Sequence, residues 1–166
     1  MTQDIEIPKI SQKHLLGIKY LSIDDINRIL ELAIFFKLKN KEKNKNYPIL
    51  TGRTIINLFF EPSTRTLISF EIAAKRLGAD VINMNIEGSS LRKGETLSDT
   101  AHTIGAMSPD LVVIRHSEDN SAEEISKLLE CPVVNAGEGI NEHPTQALLD
   151  AFTILDHKKT LKDLIV

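Results

Sequence analysis

Apolar positions along the chain fall either into short solid runs or into helical stripes, and the two kinds take turns. Ile26, Ile29, Leu30, Ala33 and Ile34 recur at helical spacing behind Ser22. Ser22 with Asp25 has the Ser-x-x-Asp form of a capping box. Residues 54–60 (TIINLFF) form a short, mainly apolar run rich in β-formers, which predicts a buried strand ended by Pro62. A helix is predicted over 63–77, closed by Gly78 in the usual C-terminal glycine position. A second strand at 81–85 and a polar loop at 86–94 follow. Helical spacing through Leu97, Ala101, Ile104 and Gly105 marks 95–107. Residues 110–115 (DLVVIR) read as a third strand and 122–129 as a helix broken at Cys131-Pro132. A short strand at 133–135 leads to a glycine-rich loop at 136–142. Pro144 then stands in the first turn of a helix reaching about Asp156, where its missing N–H does no harm. Residues 161–166 read as the start of a fifth strand.

Strand–helix alternation at this period predicts an α/β fold. The expected architecture is a doubly wound parallel sheet of about four strands with helices on both faces. Ligands bind such sheets at the C-terminal ends of the strands. The polar residues that fall there are Ser63 to Thr66, Arg115 with His116, and the loop leading to His143.

A length of 166 residues suits one domain, and 42% hydrophobic with 26% charged residues argues against disorder, collagen-like repeats and coiled coil. The single cysteine, Cys131, excludes an internal disulfide and suits a reducing compartment. It is read as a buried small hydrophobe. No apolar run approaches the roughly 18 residues of a membrane helix. The polar, acidic N-terminus lacks a signal-peptide pattern, so the expected location is the cytoplasm, with no membrane partner. Net charge is −3. Residues 37–46 (KLKNKEKNKN) carry five lysines against one glutamate, with no arginine or aromatic side chain. They read as a solvated helix end and loop, and no nucleic-acid partner is expected.

Ser63-Thr64-Arg65-Thr66 lies where a strand turns into a helix, whose first N–H groups are unpaired and partially positive. Hydroxyls and a guanidinium added to that end make a cradle for a phosphate-like anion. The plainer alternative is an N-cap serine beside a surface arginine. The chain has neither Gly-x-x-x-x-Gly-Lys-Ser/Thr nor a Gly-x-Gly-x-x-Gly after the first strand. Arg115 stands at the ligand edge of the sheet or is a simple strand-end charge. His143 begins a helix, where the helix dipole disfavours its cation, so it is expected neutral and able to donate to a carbonyl. Gln146 lies on the same helix face. The alternative for His143 is a capping role. The basic loop 90–95 (SLRKGE) is either solvated or brings a mobile lysine to an anion. His14, His102 and His157 lack metal-ligand spacing, and no metal site is expected.

Phe59-Phe60-Glu61-Pro62-Ser63-Thr64-Arg65-Thr66 resembles the carbamoyl-phosphate signature of the aspartate/ornithine carbamoyltransferase family. Lys93-Gly94-Glu95-Thr96-Leu97-Ser98-Asp99-Thr100 resembles that family's lysine loop. Asn135-Ala136-Gly137-Glu138-Gly139 and His143-Pro144-Thr145-Gln146-Ala147-Leu148-Leu149-Asp150 resemble its aspartate branch. The ornithine branch usually carries a cysteine at the place of Thr145 and lacks the Lys-Gly-Glu triplet. The resemblance runs from about Leu15 to Val166, with four motifs in order.

The resemblance implies transfer of a carbamoyl group from carbamoyl phosphate to the L-aspartate amine. The products would be N-carbamoyl-L-aspartate and phosphate, in pyrimidine biosynthesis. Ser63, Thr64, Arg65 and Thr66 would hold the phosphate. Thr66, Arg115 and His143 would polarise the carbonyl and stabilise the oxyanion, while Gln146 binds the carbamoyl amide. Arg65, Thr66, Arg115 and His143 are thus the implied catalytic set. Ser90 and Lys93 would reach the site of a neighbouring subunit in a homotrimer, with room for a regulatory chain. The leaving phosphate would help remove the amine proton, and no cofactor is implied. By the same resemblance, residues 1–156 are a carbamoyl-phosphate-binding domain and 157–166 begin an aspartate-binding domain. The 166 residues alone would then be inactive. The alternatives are ornithine as acceptor, and a carbamoyl-phosphate-binding module without turnover of its own.

Overall fold

Strand β1 (Thr54–Phe59) is buried at every position after Thr54 because both faces of the sheet are covered. The computed structural model describes residues 7–85 and 96–162. Four parallel strands, β1, β2 (Asp80–Asn85), β3 (Leu111–His116) and β4 (Val133–Glu138), lie in the order β2-β1-β3-β4. Side chains alternate across the sheet with period two. Ile56, Leu58, Val112 and Ile114 meet Ala101 and Ile104 of α3 (Leu97–Ala106) and Ala122 and Ile125 of α4 (Ser121–Leu128). Ile55, Phe59 and Val113 meet Leu67, Phe70 and Ala74 of α2 (Thr64–Arg76) on the other face. Fully burying an isoleucine such as Ile104 is worth about 1.5–3 kcal/mol, so these two layers supply most of the cohesion.

The chain runs outward from β1 to β2, then crosses back to β3 and on to β4. The winding therefore reverses between β1 and β3, which makes their C-terminal ends the switch point of the sheet. Helix α5 (Pro144–Lys158) packs on β4 and against α1 (Ile23–Lys39). Lys37 of α1 pairs with Asp156 of α5 at 2.7 Å. Residues 40–46 are exposed, as expected of a solvated helix end and loop.

The expected capping box forms: Ser22 Oγ accepts from Asp25 N at 3.1 Å, and Asp25 accepts from Ser22 N. Asp25 is buried and also accepts from the N–H and hydroxyl of Ser11. These donors hold its carboxyl far below the ordinary range, with the Ser11 hydroxyl leading. Gly78 follows α2 with φ +87°, the left-handed C-terminal position. An unforeseen feature is the N-terminal segment on the outer edge of β4. Leu15 donates to Val133 O and accepts from Asn135 N, both at 2.9 Å, and bridges Val134 in parallel. This covers an edge that would otherwise be open.

Two element ends and the burial of Cys131 differ from the sequence reading. β4 does not end at Asn135 but continues through Gly137 and Glu138, because the neighbouring β3 supplies partners across a register shift between Ile114 and His116. Helix α3 opens on Thr96, which forms a second capping box with Asp99, rather than at Glu95. Cys131 is only half-buried beside the α3–α4 core, not fully enclosed. The polar loop 86–94 and residues 163–166 of the expected fifth strand at 161–166 lie outside the described residues.

Candidate active site

Helix α2 begins at the end of β1 with its first turn uncapped. Ser63 is the N-cap residue, yet its side chain caps no backbone N–H. Its hydroxyl donates instead to Thr66 Oγ1 at 2.9 Å. The first-turn N–H groups of a helix have no intrahelical acceptor, so this end stays available to an anion. Of the plainer alternative, an N-cap serine beside a surface arginine, the capping bond is not formed, while the arginine is exposed as it required. Arg65 is exposed and makes no ion pair among the described residues.

Arg115 sits near the end of β3 with 19% of its side chain exposed, so it is not a solvated strand-end charge. Its Nη1 donates to Ala136 O at 3.0 Å, and its Nη2 lies 3.4 Å from Glu61 Oε1. Its Nε is buried without a partner among the described residues. Phe60 N donates to Arg115 O at 2.9 Å, which ties the β1 exit to the β3 exit. Gly137 on β4 has φ +113°, and a Cβ there would collide with the Arg115 guanidinium and stand 3.1 Å from His143 Cδ2. A glycine is required at this close approach. Arg115 from β3 and His143 from the start of α5 thus approach the same backbone position on β4.

His143 is the N-cap residue of α5, followed by Pro144 at the first helical position. Its pKa is lowered from the ordinary 6.5, chiefly by burial and secondly by the Arg115 charge, with Asp150 opposing. The neutral state expected from the sequence stands, but burial leads where the helix dipole was invoked. Thr145 Oγ1 is 3.4 Å from His143 Nδ1, a long contact on the side of the ring away from Nε2. Gln146 is exposed, and its Nε2 donates to Asp150 Oδ1 at 2.9 Å. His116 does not join Arg115. It lies 4.6 Å from the Phe60 ring on the opposite face, and its Nδ1 accepts from Glu118 N. Ser90 and Lys93 lie outside the described residues.

Sequence reasoning gave no role to Glu61, Asn135, Gly137 or Glu138. Glu138 is buried and accepts from Ala122 N at 3.0 Å, so it binds the N-terminus of α4. Its charge inside an otherwise apolar strand end was the available signal. A cavity of about 580 Å³ opens at the opposite, N-terminal ends of the strands, beside Arg53, Asp110 and Pro132. Arg53 and Asp110 there are paired with each other at 2.6 Å, and no free cation aims into it from the described residues. The uncapped helix end and the unpartnered Arg115 Nε make the switch point the better ligand site. Among the described residues no His, Cys, Asp or Glu side chains gather as metal ligands, and no helix is long and apolar enough to cross a membrane.

Such a molecule is an open parallel α/β domain whose switch point carries an uncapped helix start and a largely buried arginine. The sequence profile described as aspartate/ornithine carbamoyltransferase, carbamoyl-P binding domain, matches residues 13–156, and the chain belongs to that family. It is 58% identical over 158 residues to the aspartate carbamoyltransferase catalytic subunit of Pelagibacter ubique, covering 95% of this chain and 50% of the relative. The corresponding subunit of Parvibaculum lavamentivorans is 54% identical over 159 residues, covering 96% and 49%. Among solved structures, Trypanosoma cruzi aspartate transcarbamoylase in complex with carbamoyl phosphate superposes with a TM-score of 0.85 at 38% identity, covering 94% of this chain and 49% of that one. The chain spans about half the length of the curated relatives it matches.

Proposed function

We propose that this chain is the carbamoyl-phosphate half of an aspartate carbamoyltransferase. The observation that carries the reading is the meeting of Arg115 and His143 at Gly137, beside the uncapped start of α2. In this reading the phosphate rests on the first-turn N–H groups of α2, with Ser63, Thr64, Arg65 and Thr66 around it. The carbamoyl carbonyl accepts from the Thr66 hydroxyl, the Arg115 guanidinium and neutral His143. If the Thr145 hydroxyl donates to Nδ1, the proton of His143 resides on Nε2, ready for that carbonyl. Gln146 turns from Asp150 to the carbamoyl amide. The aspartate amine attacks the carbonyl carbon, the oxygen gains negative charge, and the C–O bond to phosphate breaks. The departing phosphate accepts the amine proton. Each donor aimed at the developing oxyanion contributes about 2.7–4 kcal/mol.

The remaining parts of the reading are proposed from the resemblance to the family. Residues 1–156 form the carbamoyl-phosphate-binding domain, and 157–166 begin the aspartate-binding domain. Ser90 and Lys93 complete the site of a neighbouring subunit in a homotrimer that works in the cytoplasm, within pyrimidine biosynthesis. The test is carbamoyl transfer by the chain alone and after mixing with the second half of the Pelagibacter ubique relative. Carbamoyl aspartate formed only in the mixture, and nothing from ornithine, is the expected result. Product from ornithine, or carbamoyl aspartate from the chain alone, overturns the reading.

A further inference from the structure

Asn135 is a fully buried polar side chain of β4 that joins the N-terminal segment to the backbone of its own strand. It is 0% exposed. Its Nδ2 donates to Leu16 O at 3.0 Å, which fastens the N-terminal segment. Its Oδ1 accepts from Gly137 N at 2.8 Å. The second bond falls where the β3–β4 ladder changes register, so Gly137 lacks the regular cross-strand arrangement of its neighbours. An amide N–H left without an acceptor in this interior is costly, and the local backbone would turn to find one. Any such turn moves two groups at once. Ala136 O is the acceptor that holds Arg115 Nη1, and the Cα of Gly137 is the surface against which the guanidinium and the His143 ring rest.

We propose that Asn135, acting through Gly137, is a positioning residue that sets the guanidinium of Arg115 and the ring of His143 for the carbonyl end of the ligand. It does not touch the ligand. The first turn of α2, which receives the phosphate end, is not part of this brace. The proposal rests on the carbamoyl-phosphate reading above. It divides the site into a phosphate end independent of Asn135 and a carbonyl end that depends on it.

The division is tested by the affinities of the 166-residue chain for carbamoyl phosphate and for inorganic phosphate, measured by calorimetry in the same buffer. Asn135→Ala is expected to weaken carbamoyl phosphate by about tenfold while leaving inorganic phosphate within about twofold, which removes the preference for the larger ligand. Gly137→Ala keeps the Asn135 amide but puts a methyl group against the guanidinium. It is expected to lose the same preference, and it carries the test if Asn135→Ala does not fold. A merely structural role lowers the melting temperature of Asn135→Ala and leaves the ratio of the two affinities unchanged, which overturns the proposal. Equal weakening of both ligands overturns it too. A wild-type chain that is folded but binds neither ligand refutes the carbamoyl-phosphate reading instead.

Discussion

Burial does more than any neighbouring charge to set the protonation of the histidine in the site. His143 is neutralised by burial first and by Arg115 second, and His14 and His116 are likewise lowered chiefly by burial. A histidine whose folded pKa lies below its unfolded value takes up its proton more readily when unfolded. Its contribution to stability is therefore complete above the unfolded value near 6.5 and is lost as pH falls through the folded value. Denaturant titrations between about pH 8 and pH 5 should show stability falling toward the acid end. His143→Gln should flatten part of that fall, leaving the share of the other two histidines. An identical slope in the variant means that His143 is not held neutral. At this scale the sequence was informative about residue types and poor on surroundings. Arg115 and His143 were identifiable from their places at strand and helix ends. Glycine at 137 looked like loop punctuation, because the guanidinium it accommodates is 22 residues away in sequence. Asn135 and Glu138 stood in a motif but without individual roles, since partners such as Leu16 and α4 are distant in sequence.

Among the elements, the helices obeyed their local signals better than the strands did. Ser22–Asp25, Gly78 and Pro144 each stand where the chain suggested. The start of α3 was misplaced because an acidic residue at 95 suits a first helical turn, whereas Thr96 and Asp99 satisfy two backbone donors reciprocally and win. Thr96→Ala should accordingly cost about 1 kcal/mol in chemical denaturation. A change below a few tenths means that another group caps α3. The end of β4 was misread for a different reason. Ala136-Gly137-Glu138 has weak intrinsic preference for a strand, and contacts with the adjacent β3, the Asn135 side chain and α4 hold it there. Ser63 shows the converse case. It is the residue type that caps helices, yet its hydroxyl goes to Thr66 and leaves the first turn of α2 free.

For the whole molecule, alternation of strand and helix signals was enough to give the doubly wound parallel sheet, because two covered faces require strands that are apolar throughout. Strand order was not written in any single segment. It emerges from which faces the crossovers cover, and it decides that β1 and β3 lie side by side. That adjacency is what brings the start of α2 to Arg115. The N-terminal segment on the β4 edge also belongs to this scale, since nothing in residues 7–17 announces a strand. Calorimetric titration of carbamoyl phosphate into the chain and into Arg65→Ala tests most directly whether the switch point is the ligand site. Arg65 is exposed and unpaired among the described residues, so its replacement leaves the fold intact. Saturable binding by the wild-type chain, weakened by about tenfold or more in Arg65→Ala, is the expected result. Equal affinity in the two proteins, or no binding by the folded wild-type chain, contradicts a carbamoyl-phosphate site at the start of α2.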